Sequence, residues 1–130
     1  MNEHELKRRT KQFGLRIMRL VELLPKTSTG RVIGNQLLRS GASVGANYRA
    51  ACRGRSKAEF AAKIGTVVEE ADESAYWLEM ITEGDLLLHD EVKMLHREAE
   101  ELTAIFVSSR RTATQKASIC NRKSSFENQK

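Results

Sequence analysis

The sequence predicts an all-α protein folded as an antiparallel, up-down-up-down four-helix bundle. Helix breakers are rare, since Pro25 is the single proline among 130 residues, and Ala, Leu, Glu, Lys and Arg are abundant. Apolar residues recur at spacings of three and four in four segments separated by short polar stretches. The length is that of one domain. We therefore expect the bundle over residues 1–110 and a basic, disordered tail over residues 111–130.

The first two helices are defined by apolar stripes and by the residues that end them. The first is predicted over about residues 5–24, and Pro25 ends it because proline disfavours helical geometry in the preceding residue. The second is predicted to begin after Ser28 or Thr29, either of which can cap it, and to stop at Gly54. Its stripe consists of Ile33, Leu37, Ser40, Val44, Tyr48 and Ala51.

The third and fourth helices follow after short turns. Residues 56–59, Ser-Lys-Ala-Glu, match the capping box S-x-x-E, so helix 3 is predicted to start at Lys57 and to end at Gly84. Helices 2 and 3 should thus form an antiparallel hairpin. Helix 4 is predicted over about Asp90 to Ser109, where apolar residues alternate at three and four. After Arg110 this period stops, and the Ser-rich basic remainder is typical of disorder.

The stretch from Leu38 to Phe60, LRSGASVGANYRAACRGRSKAEF, is rich in small residues and in arginine. It lacks the GxxxxGK[ST] order of a phosphate loop. On a helical wheel, its arginines lie opposite the apolar stripe, which predicts an amphipathic helix whose arginines are free of contacts within their own bundle. Gly41 and Gly45 each cost about 1 kcal/mol in a helix, so we expect another backbone to pack closely against them.

Charge is unevenly distributed along the chain. Residues 1–57 carry 13 Lys and Arg against 3 Asp and Glu, and residues 58–109 carry 3 against 13. Residues 110–130 carry 6 against 1, for a net charge of +5 over the whole chain. Such a dipole can be satisfied within the fold or between copies of the chain. It can also present a basic face to nucleic acid.

Motifs for catalysis and metal binding are missing from the sequence. Glu70-x-x-Glu73 is the nearest approach to a di-iron motif but lacks the histidine. Cys52 and Cys120 have no CxxC spacing and are expected to be reduced thiols, and no GxSxG occurs. We expect no enzyme, no metal, no cofactor and no small-molecule substrate. A polar N-terminus and the absence of a long apolar run predict a cytoplasmic protein without membrane contact.

Two groups of residues are candidates for interactions. Nucleic-acid binding is assigned to a set of exposed cations, Arg39, Arg49, Arg53, Arg55 and Lys57. A subunit interface is assigned to the small residues outside the apolar stripe, with a polar edge of helix 3, namely Ala42, Ala46, Ala50, Glu70, Glu73 and Trp77. The polar edge has three interpretations: a polar layer within the bundle, a contact between subunits, or a ligand site.

Three segments carry a resemblance to a known family. Leu24-Pro25, GRVIGNQLLRSGASVGANYRAACRGRSKAEF from Gly30 and EEADESAYWLEM from Glu69 resemble the small bacterial four helix bundle protein family. That family includes proteins encoded in intervening sequences of 23S ribosomal RNA genes. The resemblance implies a ring-like homo-oligomer, expected as a pentamer, and no known enzymatic activity. Accessory proteins of diversity-generating retroelements are more distantly similar, form a pentameric barrel and bind nucleic acid and a reverse transcriptase.

Two functions remain open at this point. The first is a non-enzymatic homo-oligomer that binds RNA or DNA through its basic face. Aromatic residues make up only 5% of the chain, so such binding should engage the backbone with little sequence preference. The second is a protein-interaction scaffold whose basic and acidic halves pair between subunits, with no role in nucleic-acid binding.

Overall fold

The computed structural model describes the backbone of residues 1–127 and the side chains of residues 1–115. Within those residues the chain forms four helices and no strand: α1 (Glu3–Val21), α2 (Ser28–Cys52), α3 (Lys57–Glu83) and α4 (Asp90–Glu127). The predicted four-helix bundle is confirmed.

Side-chain caps set the starts of the first three helices. Asn2 accepts a hydrogen bond from the Glu5 amide at 2.8 Å, which caps α1. Thr27 caps α2, one residue before the earliest cap predicted. Ser56 accepts from the Glu59 amide at 3.0 Å, so the predicted capping box marks the start of α3. Each cap satisfies an amide that has no partner within its own helix.

Contacts between the helices show that neighbours run antiparallel. Arg9 of α1 contacts Glu98 of α4, and Arg16 contacts Glu91, so residue numbers rise on one helix as they fall on the other. The same crossing holds for α3 and α4, where the contacts are Glu79 with His96 and Gly65 with Arg110. Of the four neighbouring pairs, α1 and α4 form the smallest contact.

Large apolar side chains fill the centre of the bundle along its whole length. The rings of Tyr48 and Phe106 lie 5.1 Å apart and link α2 to α4 across the core. Fully burying one Leu, Ile or Phe contributes roughly 1.5–3 kcal/mol. The stripe predicted for α2 is buried throughout, and the largest fully buried residues include Phe13, Ile17, Leu37, Ile64, Leu78, Leu95 and Leu102.

Helix α4 is longer than the sequence predicted. It was expected to end at Ser109 and to be followed by a disordered tail, yet its backbone stays helical to Glu127. Neither glycine nor proline follows Gly84, so nothing in the sequence breaks the helix. Ala113 continues the apolar seam and is 8% exposed. The tail predicted from residue 111 therefore begins as part of the bundle. Side chains after Gln115 and all of residues 128–130 lie outside the described part, so the independence of that segment from the core stays a prediction.

Candidate functional site

The five cations assigned to nucleic acid occupy three different environments, and Arg39 is the first. Its guanidinium contacts Glu70, with Nη1 3.4 Å from Oε2, and it also bonds to Glu73 through Nη2. Both acids belong to α3 of the same chain. The expectation that Arg39 is free of contacts in its own bundle is therefore wrong, because α3 presents these acids at the edge of α2.

The polar edge of α3 faces α2. Ser74 donates to Ser40 Oγ at 2.9 Å, and neither residue is exposed. Trp77 is half-buried beside the core, and its Nε1 has no hydrogen-bond partner among the described residues. Together with the Arg39 pairs, this geometry is that of a polar layer within the bundle. A subunit role for Glu70, Glu73 and Trp77 stays a prediction.

Glycines allow α1 and α2 to pack very closely. A Cβ atom at Gly41 would lie 2.9 Å from the Ile17 side chain, and one at Gly45 would lie 3.3 Å from the Thr10 carbonyl group. The predicted close approach of another backbone is thus confirmed at Gly45, where the backbone is that of α1, whereas at Gly41 the space is needed by the Ile17 side chain of α1. This contact offsets the cost of two glycines inside a helix.

A groove of about 610 Å³ runs along the outer side of the α1–α2 pair. We call its apolar lining residues the floor, and they are Leu15, Met18, Leu38, Ala42 and Ala46. We call its cationic lining residues the rim, and they are Lys7, Arg8, Lys11 and Arg49. His4, Thr10, Gly14 and Gly45 complete the lining. We name this feature the α1/α2 groove.

Three of the residues predicted to take part in interactions line this groove. Arg49, assigned to nucleic acid from the sequence, is one of the groove's rim cations. Ala42 and Ala46 contribute to the floor, as expected for a docking surface. Ala50 is half-buried and is not part of the groove lining.

Six exposed cations cluster at one end of the bundle, and we name them the basic end. The predicted Arg53, Arg55 and Lys57 lie in the turn between α2 and α3 and at the start of α3. None of the cluster forms an ion pair with another described residue. The cluster consists of Arg53, Arg55, Lys57, Lys63, Arg110 and Arg111.

Sequence reasoning missed the α4 contribution to the basic end. The Arg110 guanidinium lies over Gly65, with Cζ 3.2 Å from the position that a Cβ would take. Lys57 and Thr112 also line one cavity of about 370 Å³. Antiparallel pairing of α3 with a longer α4 brings these residues together. The signal available in the sequence was the absence of any helix breaker after Ser109.

Other arginines are neutralised inside the fold. Arg9 donates from Nε and Nη2 to the two carboxylate oxygens of Glu98, at 2.8 and 2.6 Å, and also contacts Glu101. The bond to Glu98 holds the pKa of Arg9 above its ordinary value. Arg16 pairs with Glu91 at 2.6 Å. Part of the charge dipole is therefore satisfied between α1 and α4.

The remaining candidate chemistry is limited. Within the described side chains, no group of three or more His, Cys, Asp and Glu residues is arranged to hold a metal. Cys52 is a free, half-buried thiol whose pKa is raised by burial, and the Cys120 side chain lies outside the described residues. His96 lies between Glu79 and Glu100 and joins α3 to α4. Among the described helices, none combines the length and the apolar character required to span a membrane.

Fold and surface together define a small antiparallel four-helix bundle with a basic end and a cation-rimmed groove. The chain belongs to the 23S rRNA-intervening sequence protein family, whose model matches residues 2–108. The family resemblance noted in the sequence is therefore confirmed.

One solved structure extends the comparison. It is a protein of unknown function from the S23 ribosomal protein family of Bacteroides thetaiotaomicron, 29% identical to this chain. The similarity covers 85% of this chain and 99% of that chain, with a TM-score of 0.77. No curated protein matches the chain.

Proposed function

We propose that this protein is a non-enzymatic scaffold that binds the phosphate backbone of nucleic acid through its basic end and assembles with copies of itself. The observation that carries the nucleic-acid role is the contrast between two sets of cations. Arg9, Arg16 and Arg39 are each paired with a carboxylate of the same chain. The six cations of the basic end have no such partner among the described residues and are exposed.

The ligand of the basic end is a phosphate backbone rather than a series of bases. Proteins that bind unpaired bases stack them mainly on exposed aromatic rings. Near this end, Tyr48 and Phe106 are buried and Phe60 is half-buried. Lysine and arginine contacts to phosphate supply affinity and strong salt dependence but carry no sequence information directly. We therefore expect weak sequence selectivity.

A binding measurement at several salt concentrations tests this role. The family description makes a duplex fragment of 23S rRNA the first probe to use. Titration of the labelled fragment, followed by fluorescence anisotropy, gives the slope of log K against log salt. In the variant R53Q/R55Q/K57Q, affinity should fall and the slope should flatten by roughly 0.7 to 0.9 for each phosphate that the variant no longer neutralises.

A matched control removes the same charge elsewhere. Lys26, Lys93 and Arg97 are exposed and lie away from the basic end. The variant K26Q/K93Q/R97Q should keep the wild-type slope. Equal losses of affinity in the two triple variants would mean that net charge, and not the basic end, controls binding. Absence of binding at low salt in the wild-type chain would contradict the nucleic-acid role altogether.

The α1/α2 groove favours self-assembly as a second role. An apolar floor of this kind is suited to packing by another helix, and the cationic rim is suited to an acidic one. The family resemblance leads us to expect a pentamer. Sedimentation at micromolar concentration tests this role independently of RNA, and a monomer of 14.7 kDa would contradict it. An assembled chain that binds no RNA would leave a protein-interaction scaffold as the function.

A further inference from the structure

We propose that the α1/α2 groove is occupied by the outer face of α3 from a second copy of this chain. The inference rests on the self-assembly proposed above and identifies the two surfaces that meet. The α3 outer face is the exposed side of that helix that points away from α2, and it consists of Glu69, Asp72, Tyr76, Met80 and Glu83.

The α3 outer face has apolar side chains at its centre. Tyr76 is 52% exposed and Met80 is 40% exposed, although both belong to a helix with a well-packed inner side. Their spacing of four places them one above the other on the helix surface. Glu69, Asp72 and Glu83 surround them, and none forms an ion pair with another described residue. An acidic rim thus encloses an exposed aromatic and a methionine.

The two surfaces are complementary in polarity and in charge. Tyr76 matches the apolar floor of the groove, while Glu69 and Asp72 match its cationic rim. Within one chain the rim residues Arg8, Lys11 and Arg49 have no carboxylate partner among the described residues. Tyrosine is enriched at the centres of protein interfaces, where its ring packs against apolar residues.

The groove and the part of the α3 outer face that contains Glu69, Asp72 and Tyr76 lie at the same level along the bundle. Ser40 of α2 bonds to Ser74 of α3, and the two helices are antiparallel, so α2 residues 38–49 lie beside α3 residues 65–76. Glu69, Asp72 and Tyr76 fall within that range, and Met80 and Glu83 lie about one to two turns beyond it. A rotation about an axis parallel to the bundle can therefore bring the face of one copy to the groove of the next without an axial shift.

This arrangement is head-to-tail. Helices α1 and α3 are diagonal in the bundle, and none of their Cα atoms approach within 8 Å of each other in the described part of the chain, so a chain cannot fill its own groove with its own α3 outer face. Each copy therefore offers one groove and one face, and the series of contacts closes into a ring when the rotation permits.

Charge reversal on either side tests the pairing. The full-length groove variant K11E/R49E and the full-length face variant E69K/D72K alter only exposed residues. Each alone should fail to form the wild-type assembly and should sediment at 14.7 kDa, because like charges then meet at the contact. Circular dichroism checks that both remain helical. If a reversal variant fails to fold, K11Q/R49Q or E69Q/D72Q replaces it, with the same expected direction.

Two combinations separate specific pairing from general disruption. An equimolar mixture of the groove variant and the face variant should assemble beyond the monomer, because every contact between unlike variants joins opposite charges. A ring of five copies retains at least one contact between like variants, so the mixture should assemble less completely than the wild-type chain. All four substitutions in one chain should restore the mass of the wild-type assembly, because the charges of the groove and of the face are then exchanged and remain opposite. Retention of the wild-type mass by either folded reversal variant would overturn the inference, as would a folded quadruple variant that stays monomeric.

The outcomes distinguish this inference from the proposed function. A wild-type chain that assembles while the reversal variants assemble equally well would overturn the pairing and leave self-assembly intact. A monomeric wild type would overturn both. RNA binding is measured separately through R53Q/R55Q/K57Q, which should have reduced RNA affinity and keep the wild-type mass, since none of these three residues lines the groove.

Discussion

Ser74 donates a hydrogen bond to Ser40 Oγ at 2.9 Å, and both hydroxyls are fully buried between α2 and α3. Ser40 in turn donates to the carbonyl of Leu37 at 3.2 Å, so the two side chains form a short chain of bonds inside an apolar core. Arg39, which is adjacent to Ser40, contacts Glu73, which is adjacent to Ser74. The buried pair and the exposed pair therefore hold α2 and α3 in the same register.

A double-mutant cycle on this pair should show strong coupling. Ser40→Ala and Ser74→Ala are each expected to destabilise the fold by about 1 kcal/mol, the usual worth of one hydrogen bond. The double variant should cost less than the sum, since each single variant already removes the one bond that joins the two serines. Urea unfolding gives the free energy of unfolding of the wild-type chain, the two single variants and the double variant. Ser43→Ala, which removes an exposed bond to the Arg39 carbonyl, serves as the control. Strict additivity would mean that the two serines act independently.

Two glycines in the α1–α2 contact should respond oppositely to alanine. At Gly41 the added Cβ would lie 2.9 Å from both Cγ1 and Cγ2 of Ile17, a fully buried β-branched residue that cannot rotate away. Gly41→Ala should destabilise by about 1–3 kcal/mol. At Gly14 the nearest atoms are 3.5 Å away, so Gly14→Ala should gain up to about 1 kcal/mol from helix propensity. Thermal unfolding of both variants checks the difference in sign.

The sequence was sufficient to predict features that depend on a single helix. Both ends of α3 are confirmed, because the capping box at Ser56 and the glycine at Gly84 act locally. The close approach at Gly41 and Gly45 was also predictable, since a helix retains glycine at such a cost only where another element needs the space. Its partner, α1, was not specified by the sequence.

Features that depend on a neighbouring helix were not predictable in the same way. A helical wheel places Arg39 opposite the apolar stripe but does not show that α3 brings Glu70 and Glu73 within reach. Arg49 and Arg53 lie on the same side of α2, yet Arg49 lines the groove with α1 and Arg53 lies at the turn to α3. The contribution of Arg110 to the basic end depends on the length of α4. That length was not predicted, because few large apolar residues follow Ser109.

Replacing Arg9 should weaken the contact between α1 and α4, the smallest in the bundle. The Arg9 and Glu98 side chains are 24% and 15% exposed, and Arg9 binds both carboxylate oxygens. Arg9→Ala should cost about 2 kcal/mol, since a largely buried carboxylate is left without its partner. Arg9→Lys should recover only part of this, because an ammonium cannot make the two-point bond. Arg19→Ala, at an exposed residue, should change the free energy of unfolding in urea by less than about 0.5 kcal/mol.

Two truncations should locate the end of the structural part of α4. Removal of residues 116–130 is expected to leave the thermal midpoint unchanged, because the sequence of this segment has no apolar period. Removal of residues 112–130 also deletes Thr112 and Ala113, which line a cavity with Phe60. That deletion should lower stability by about 1 kcal/mol through exposure of apolar surface. Equal midpoints for the two truncated chains would place the structural end of α4 before Thr112.

Neutralising Arg49 and neutralising Arg53 should have different consequences, although the two residues are one helical turn apart. Arg49 belongs to the rim of the α1/α2 groove, where it faces the acids proposed to come from a second copy. Arg49→Gln should therefore weaken assembly and leave the RNA affinity of each subunit nearly unchanged. Arg53 belongs to the basic end, so Arg53→Gln should keep the assembly and flatten the salt slope by roughly 0.7 to 0.9, the effect of one phosphate. Sedimentation and anisotropy on the same two preparations give both readouts. If both variants show the same fall in RNA affinity and keep their mass, the two arginines form one nucleic-acid surface and the division between groove and basic end is incorrect.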